Sequence, residues 1–370
     1  MHLDSKDPIR ILQVVTTMDR GGLETMIMNY YRQVDRNQVQ FDFLVHRDFR
    51  ADYADEIESL GGRIFRLPRL VPWSRSYNSA LDAFFDRHPE YRIVHVHQDC
   101  LSSVVLKSAK KHGVTVRIAH SHTSNQRKNV KYLIKLYYKR QIPNYATHLF
   151  ACSEKAGEWM FGDNSFSVLS NAIDTKLYAY DVHSREFIRN ELGIPGDALV
   201  VGHIGRFSPE KNHGFLVDIF KSVHDRNDSS VLLLVGDGDD RKTIEKKVQT
   251  LGLANSVIFA GVRSDIPALL SAMDVFVFPS KYEGLPVTLV EAQASGISCF
   301  ISDGISDESI ITDRVEVIPL ESGSGFWAEK IMAKSGSSRV TTEAQVAAAG
   351  FDIAENAEKL QRFYLENWKE

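Results

Sequence analysis

Cysteine is scarce in this chain: Cys100, Cys152 and Cys299 are the only three among 370 residues, odd in number and far apart. No CxxC spacing occurs, which removes zinc-ribbon and dithiol redox chemistry, and the three read as small buried residues of a reducing compartment. No run of 18 or more apolar residues occurs, so no segment is expected to span a membrane. The opening MHLDSKDPIRILQVV carries acidic residues and too short an apolar run for a secretory signal. A cytoplasmic enzyme is expected, with contact to the inner face of a membrane left open. Excess positive charge is also missing: the net charge is −4, which offers no general field for nucleic acid. Low-complexity tracts and short repeats are absent as well.

What is present is the composition of a soluble globular protein, 43% hydrophobic and 25% charged. At about 150 residues per domain, the length suggests two domains. Short β-rich runs alternate with helical patterns: Ile9–Val15, Phe41–Val45, Arg63–Arg66, Arg92–His97, Val114–His120 and His148–Cys152 read as strands. The first is broken by Gly21-Gly22, after which Leu23, Met26, Ile27, Tyr30, Tyr31 and Val34 fall at helical spacing. The pattern restarts with Leu199–Ile204, Ser230–Val235, Val257–Phe259, Val275–Phe278 and Ser298–Ile301. Such alternation predicts an α/β fold of two Rossmann-like, doubly wound domains facing a cleft, parting within Ser170–Asp174. Ligands in these folds bind at the carboxyl ends of the strands. The apolar spacing of Ile353, Ala357, Leu360, Phe363 and Tyr364 predicts a last helix, and leaves open which domain it packs on.

The residues at strand ends carry the chemistry. Glu283 and Glu291 follow Val275–Phe278; Pro286 between them suits a first helical turn, and Gly284 leaves the backbone bare beside whatever Glu283 faces. Two such carboxylates could accept hydrogen bonds from two sets of sugar hydroxyls, or simply be a helix cap and a surface charge. Arg206 and Lys211 lie on the loop after Leu199–Ile204, a fork and a point charge suited to a diphosphate; solvated loop charges give the same pattern. Gly21 and Gly22 let a phosphate or sugar approach the backbone at a helix start. His95 and His97 close one strand and His120 and His122 another, each pair pointing one way. Zinc is the rival reading, but neither cysteine nor a helical HExxH accompanies them, and no metal is assigned; strand-end histidines bonded to backbone are the plain alternative. Gly236-Asp237-Gly238-Asp239-Asp240 imitates a DxD metal motif, yet its place after a strand and before a helix reads as a turn and helix start. In residues 126–142, Arg127, Lys131, Lys135 and Lys139 form one helical ridge opposite Val130, Leu133, Ile134, Tyr137 and Tyr138. That is the pattern of a helix lying on an anionic membrane surface, and equally of an ordinary helix with a solvated face.

Ser271–Gly296, SAMDVFVFPSKYEGLPVTLVEAQASG, strongly resembles the signature of the retaining family 4 glycosyltransferases, and the similarity extends over most of the chain. The resemblance implies the GT-B architecture, with an acceptor-binding domain of residues 1–170 completed by a returning helix, 352–370, and a nucleotide-sugar domain of residues 171–351. It implies that Glu283, with Gly284, Leu285 and Pro286 beside it, meets the donor sugar, that Glu291 meets the ribose, and that Arg206 and Lys211 hold the diphosphate. Gly21 and Gly22 match the family's N-terminal G-G-x-E element. One histidine of AHSHTS would lie near the donor sugar and acceptor, His122 being favoured over His120 because His-Thr-Ser is a recurring family form. No bound metal or other cofactor is implied. The continuation Ser302–Glu308 resembles that of capsule and exopolysaccharide enzymes, which implies a lipid-linked glycan as acceptor, with a UDP-sugar as donor because UDP is the commonest nucleotide there. A nucleotide-sugar epimerase and a non-catalytic nucleotide-sugar binding protein remain as alternatives of other classes.

Overall fold

A computed structural model describes residues 7–123, 132–283, 285–336 and 338–368. The chain divides into two compact units, one running to Ala172 and resumed from Ile353, the other Ile173–Asp352. The first holds strands β1 (Ile9–Val14), β2 (Val39–Val45), β3 (Ile64–Arg66), β4 (Ile93–Val96), β5 (Val116–Ser121), β6 (His148–Ala151) and β7 (Ser167–Val168) in the order β3-β2-β1-β4-β5-β6-β7. The second holds β8 (Val200–Ile204), β9 (Val231–Val235), β10 (Val257–Gly261), β11 (Val275–Phe278), β12 (Ser298–Ser302) and β13 (Val315–Ile318) in the order β10-β9-β8-β11-β12-β13. Neighbouring strands pair in parallel. Both orders are those of the doubly wound dinucleotide fold, with the switch between β1 and β4 in one unit and between β8 and β11 in the other.

Helices on both faces explain why the central strands are mostly apolar rather than alternating: β8, β9, β11 and β12 are buried at every residue. In the second unit, Leu216, Val217 and Phe220 of the helix His213–His224 share a core with Val201, Leu232, Leu234 and the fully buried Trp327. The last helix, Ile353–Trp368, belongs to the first unit. Tyr364 packs edge-on to Phe41 of β2, Phe363 meets Phe150 of β6, and Gln361 accepts from the Asp35 backbone N–H at 2.7 Å. The chain leaves and regains this unit at adjoining points, where Ile173 N donates to Phe351 O at 2.9 Å. Two strands were not foreseen. β7 has two exposed residues, and β13 has two half-buried, one exposed and one buried residue around Glu316, so neither leaves an apolar run in the sequence.

Candidate functional site

At the switch point of the second unit, two loops are laced together. Asn212, in the left-handed region at φ 58, ends the loop after β8 and starts the helix His213–His224, and its Nδ2 donates to Pro279 O at 3.1 Å. Lys281 N donates to Glu210 O at 2.8 Å, and the Tyr282 hydroxyl donates to Glu210 Oε1 at 3.2 Å. Gly304 lies so close behind that a Cβ there would meet Lys281 O at 2.1 Å. This lacing brings Lys211 Nζ to 2.8 Å from Glu283 Oε1 and 4.4 Å from the centre of the Phe278 ring. The contact is an ion pair rather than an aligned hydrogen bond, so Glu283 Oε1 has no directed donor among the described residues. Arg206 is exposed on the same loop, and the Lys211–Glu283 pair forms without it. Gly284 lies outside the described residues.

Leu285 is buried, and Pro286 occupies the N-cap of the helix Val287–Ala294, one position ahead of the first turn where the sequence put it. From that helix Glu291 points inward. It is 3% exposed and accepts from the Tyr178 hydroxyl at 2.6 Å, which removes the reading of a surface charge. Burial pushes its carboxyl up to about 7, against the opposing pull of Tyr178. A buried carboxyl held near neutrality makes Glu291 a candidate functional group. No local pattern points to Tyr178, which stands 113 positions away.

Gly236-Asp237-Gly238 leads from β9 into a turn at Asp239-Asp240, which opens the helix Arg241–Thr250. A Cβ on Gly236 would meet Gly205 O at 2.2 Å and one on Gly238 would meet Phe207 O at 2.4 Å, so both glycines let this turn lie against the Arg206 loop. Asp237 accepts from the Gly238 backbone N–H at 2.8 Å. Two buried histidines, His203 and His213, lie near Lys211, their rings 4.7 Å apart. Burial, with Lys211 adding to it, pushes His213 down to about 4, so the cationic charge of this region rests on Arg206 and Lys211.

In the first unit, the four histidines at the ends of β4 and β5 converge. Among the described residues, side chains rather than backbone meet their rings, contrary to the plain alternative. His95 Nδ1 lies 2.7 Å from the Tyr364 hydroxyl and its Nε2 lies 3.1 Å from His120 Nδ1. His97 Nδ1 lies 2.8 Å from His122 Nε2, and its Nε2 lies 2.9 Å from Gln13 Oε1. His95, His97 and His120 are buried, whereas His122 is half-exposed. One nitrogen from each of His95, His97 and His120 falls within 4.8 Å of the others, a spacing that could hold a metal ion. The ring nitrogens are already engaged by protein partners, however, save His120 Nε2, which is buried without one among the described residues. Asp99, half-buried and at φ 46, accepts weakly from the His122 backbone N–H at 3.4 Å.

The helix Gly22–Gln33 starts with Gly21 at its N-cap; a Cβ on Gly21 would meet Glu24 Oε2 at 2.4 Å, whereas Gly22 faces open space. Gly22 is therefore the one with room for a ligand to approach the backbone. Residues 126–131 lie outside the described ones. In the helix Tyr132–Tyr145, the expected faces are exchanged. Lys135 and Lys139 are half-buried, with Lys139 Nζ 4.4 Å from the centre of the Trp159 ring. Leu133 is 75% and Tyr137 61% exposed, beside exposed Ile134 and Arg140. The long lysine stems cover protein surface, and the apolar residues are left outside.

Two family models match the chain: glycosyltransferase family 4 over residues 20–177 and glycosyl transferases group 1 over residues 184–332. The putative glycosyltransferase EpsF of Bacillus subtilis is 36% identical over 372 residues, covering 96% of each chain. An Escherichia coli UDP-Gal:alpha-D-GlcNAc-diphosphoundecaprenol alpha-1,3-galactosyltransferase is 25% identical over 301 residues, covering 75% of this chain and 76% of its own. Among solved structures, Anabaena HepE in complex with UDP and glucose superposes with a TM-score of 0.79 at 18% identity, covering 96% of this chain and 99% of its own. The lipopolysaccharide glycosyltransferase WaaG superposes with a TM-score of 0.68 at 15% identity, over 95% of this chain and 99% of its own. Both share the two-Rossmann GT-B fold.

Proposed function

This chain belongs to the family 4 glycosyltransferases, and we propose that it moves a hexosyl group, with retained anomeric configuration, from a UDP-sugar to a hydroxyl of a lipid-linked glycan in surface polysaccharide assembly. The carrying observation is the Lys211–Glu283 pair at the β8/β11 switch point, with Glu291 buried on the helix that follows. In this reading Lys211 and Arg206 bind the diphosphate, Glu283 orients the sugar hydroxyls, and Glu291 accepts from the ribose. Within the first unit, Gly22 leaves backbone free for a ligand to approach, and His122, with His120 behind it, offers an imidazole to a sugar hydroxyl.

The bond from the anomeric carbon to the diphosphate oxygen breaks as the acceptor oxygen approaches on the same face. Negative charge grows on the diphosphate, where Lys211 and Arg206 stabilise it. The departing oxygen takes the proton of the attacking hydroxyl as the new glycosidic bond forms. No pair of carboxylates flanking one bond is required, unlike in glycoside hydrolysis, and with two cations on the phosphate loop no metal ion enters the scheme. The UDP in HepE and the diphosphoundecaprenol acceptor named for the Escherichia coli relative support the choice of donor and acceptor. Mixing a UDP-hexose panel with lipid-linked glycan should release UDP only when both are present. An isomerised sugar nucleotide formed without acceptor would instead make the chain an epimerase, and binding without turnover a non-catalytic protein.

The acceptor lipid calls for a membrane surface, and no described helix is long and apolar enough to cross one. The exposed Leu133, Ile134 and Tyr137, with Arg140 beside them, suit docking on the anionic inner face. The variant Leu133→Ser/Tyr137→Ser should lose co-flotation with vesicles containing phosphatidylglycerol while keeping its melting temperature. Undiminished flotation would count against docking by this helix.

A further inference from the structure

A neutral imidazole has one N–H and one lone pair, so each hydrogen bond it makes has a direction. Burial holds His95, His97 and His120 well below the ordinary histidine range and pushes His122 down to about 3, so all four rings are neutral near pH 7. Beneath them lies Gln13 on β1, 2% exposed. Its Oε1 faces His97 Nε2 at 2.9 Å, and its Nε2 donates to the Tyr364 hydroxyl at 3.3 Å. An amide oxygen only accepts, so His97 carries its proton on Nε2 and presents a lone pair at Nδ1. His122 Nε2, 2.8 Å from that lone pair, must donate to it. The proton of His122 is then committed to the interior, and its Nδ1 is left with a lone pair.

The second branch starts at the same amide. The Tyr364 hydroxyl, receiving from Gln13, gives its own proton to His95 Nδ1 at 2.7 Å. His95 Nε2–H then donates to His120 Nδ1 at 3.1 Å, and the branch ends on the buried His120 Nε2–H. One amide thus sets the polarity of both branches, and the returning helix contributes through Tyr364, which is fully buried.

We propose that Gln13, acting through His97, fixes His122 as the Nε2–H tautomer, so that His122 Nδ1 is an acceptor that takes a neutral hydroxyl and disfavours phosphate or carboxylate. Gln13 and His97 are positioning residues, and His122 is the group that meets the ligand. A sugar is rich in the required hydroxyls, whereas an anion brings only further lone pairs to a lone pair. That the hydroxyl belongs to a sugar rests on the proposed function; the tautomer does not.

The test is a long-range ¹⁵N–¹H correlation spectrum of histidine-labelled free protein near pH 7, with His122 assigned by its loss in His122→Asn. The expected result is a protonated Nε2 and an unprotonated Nδ1 on His122 in the wild type. In Gln13→Met, which keeps the volume and removes the amide, the two tautomers should average. The same variant should lose about tenfold in kcat/KM, the scale of one misdirected hydrogen bond to the sugar, with UDP affinity unchanged. A wild-type His122 protonated on Nδ1 overturns the proposal whether or not Gln13→Met folds, and so does an unaltered tautomer in a folded Gln13→Met. Because the spectrum needs no substrate, its outcome is separate from whether UDP-sugar transfer occurs.

Discussion

Lys211→Met should lower kcat for glycosyl transfer about 10²–10³-fold, the effect of removing one preorganised charge from a developing anion. The pair it forms with Glu283 is only 18% exposed on each side, so the substitution leaves a largely buried carboxylate unpaired and should lower the melting temperature. Turnover is therefore compared well below both melting temperatures, where the variant is folded. The free-state pairing with Glu283 adds a second expectation. Nζ must be drawn toward, or shared with, the diphosphate when the donor enters, which frees Glu283 to accept from the sugar. Glu283→Ala should accordingly lower transfer as well. Steady-state kinetics beside a thermal melt decides the matter, and near wild-type turnover in Lys211→Met would remove the leaving-group role.

Glu291→Gln should raise stability and weaken nucleotide binding at once. The folded carboxyl titrates at about 7, against an ordinary value near 4.5 in the unfolded chain. Between those values the native state holds a proton that the unfolded state has released. Stability therefore falls as pH rises through that window, by up to about 3 kcal/mol, and levels off above pH 7. Glutamine still accepts from Tyr178 but carries no charge to bury, so the variant should melt roughly 5–10 °C higher than wild type at pH 8 and about level with it at pH 4. The ribose hydroxyls would lose a charged acceptor, and UDP affinity should fall roughly 10- to 100-fold. Gain of stability with loss of affinity distinguishes a ligand group from a structural one. A Glu291→Gln protein that is less stable at pH 8, or binds UDP as tightly, would contradict the assignment.

The units and most strands were legible because buried parallel strands are short apolar runs bounded by glycine and polar turns, as in VLLLV before Gly236 and VFVF before Pro279. The places of Arg206, Lys211 and Glu283 on loops after strands, and of Glu291 on the helix that follows, were legible because those strands are short apolar runs with clear ends. What the sequence hid is long-range. Tyr178 meets Glu291, and Tyr364 and Gln13 tie the histidines together, across separations that no local period records. Of the basic ridge, Arg127 and Lys131 lie outside the described residues, while Lys135 and Lys139 share one helix; periodicity does not tell which face the protein covers. The Lys139–Trp159 stack decided that against the usual expectation of lysines outside.

The most direct measurement is a calorimetric titration of UDP into the wild-type chain, Lys211→Met, Glu291→Gln and Gln13→Met. A donor site built on the second unit predicts saturable binding to the wild type and to Gln13→Met, weaker binding by at least about tenfold in Glu291→Gln, and further loss in Lys211→Met. Equal affinity across all four, or no binding to the wild type, would contradict it.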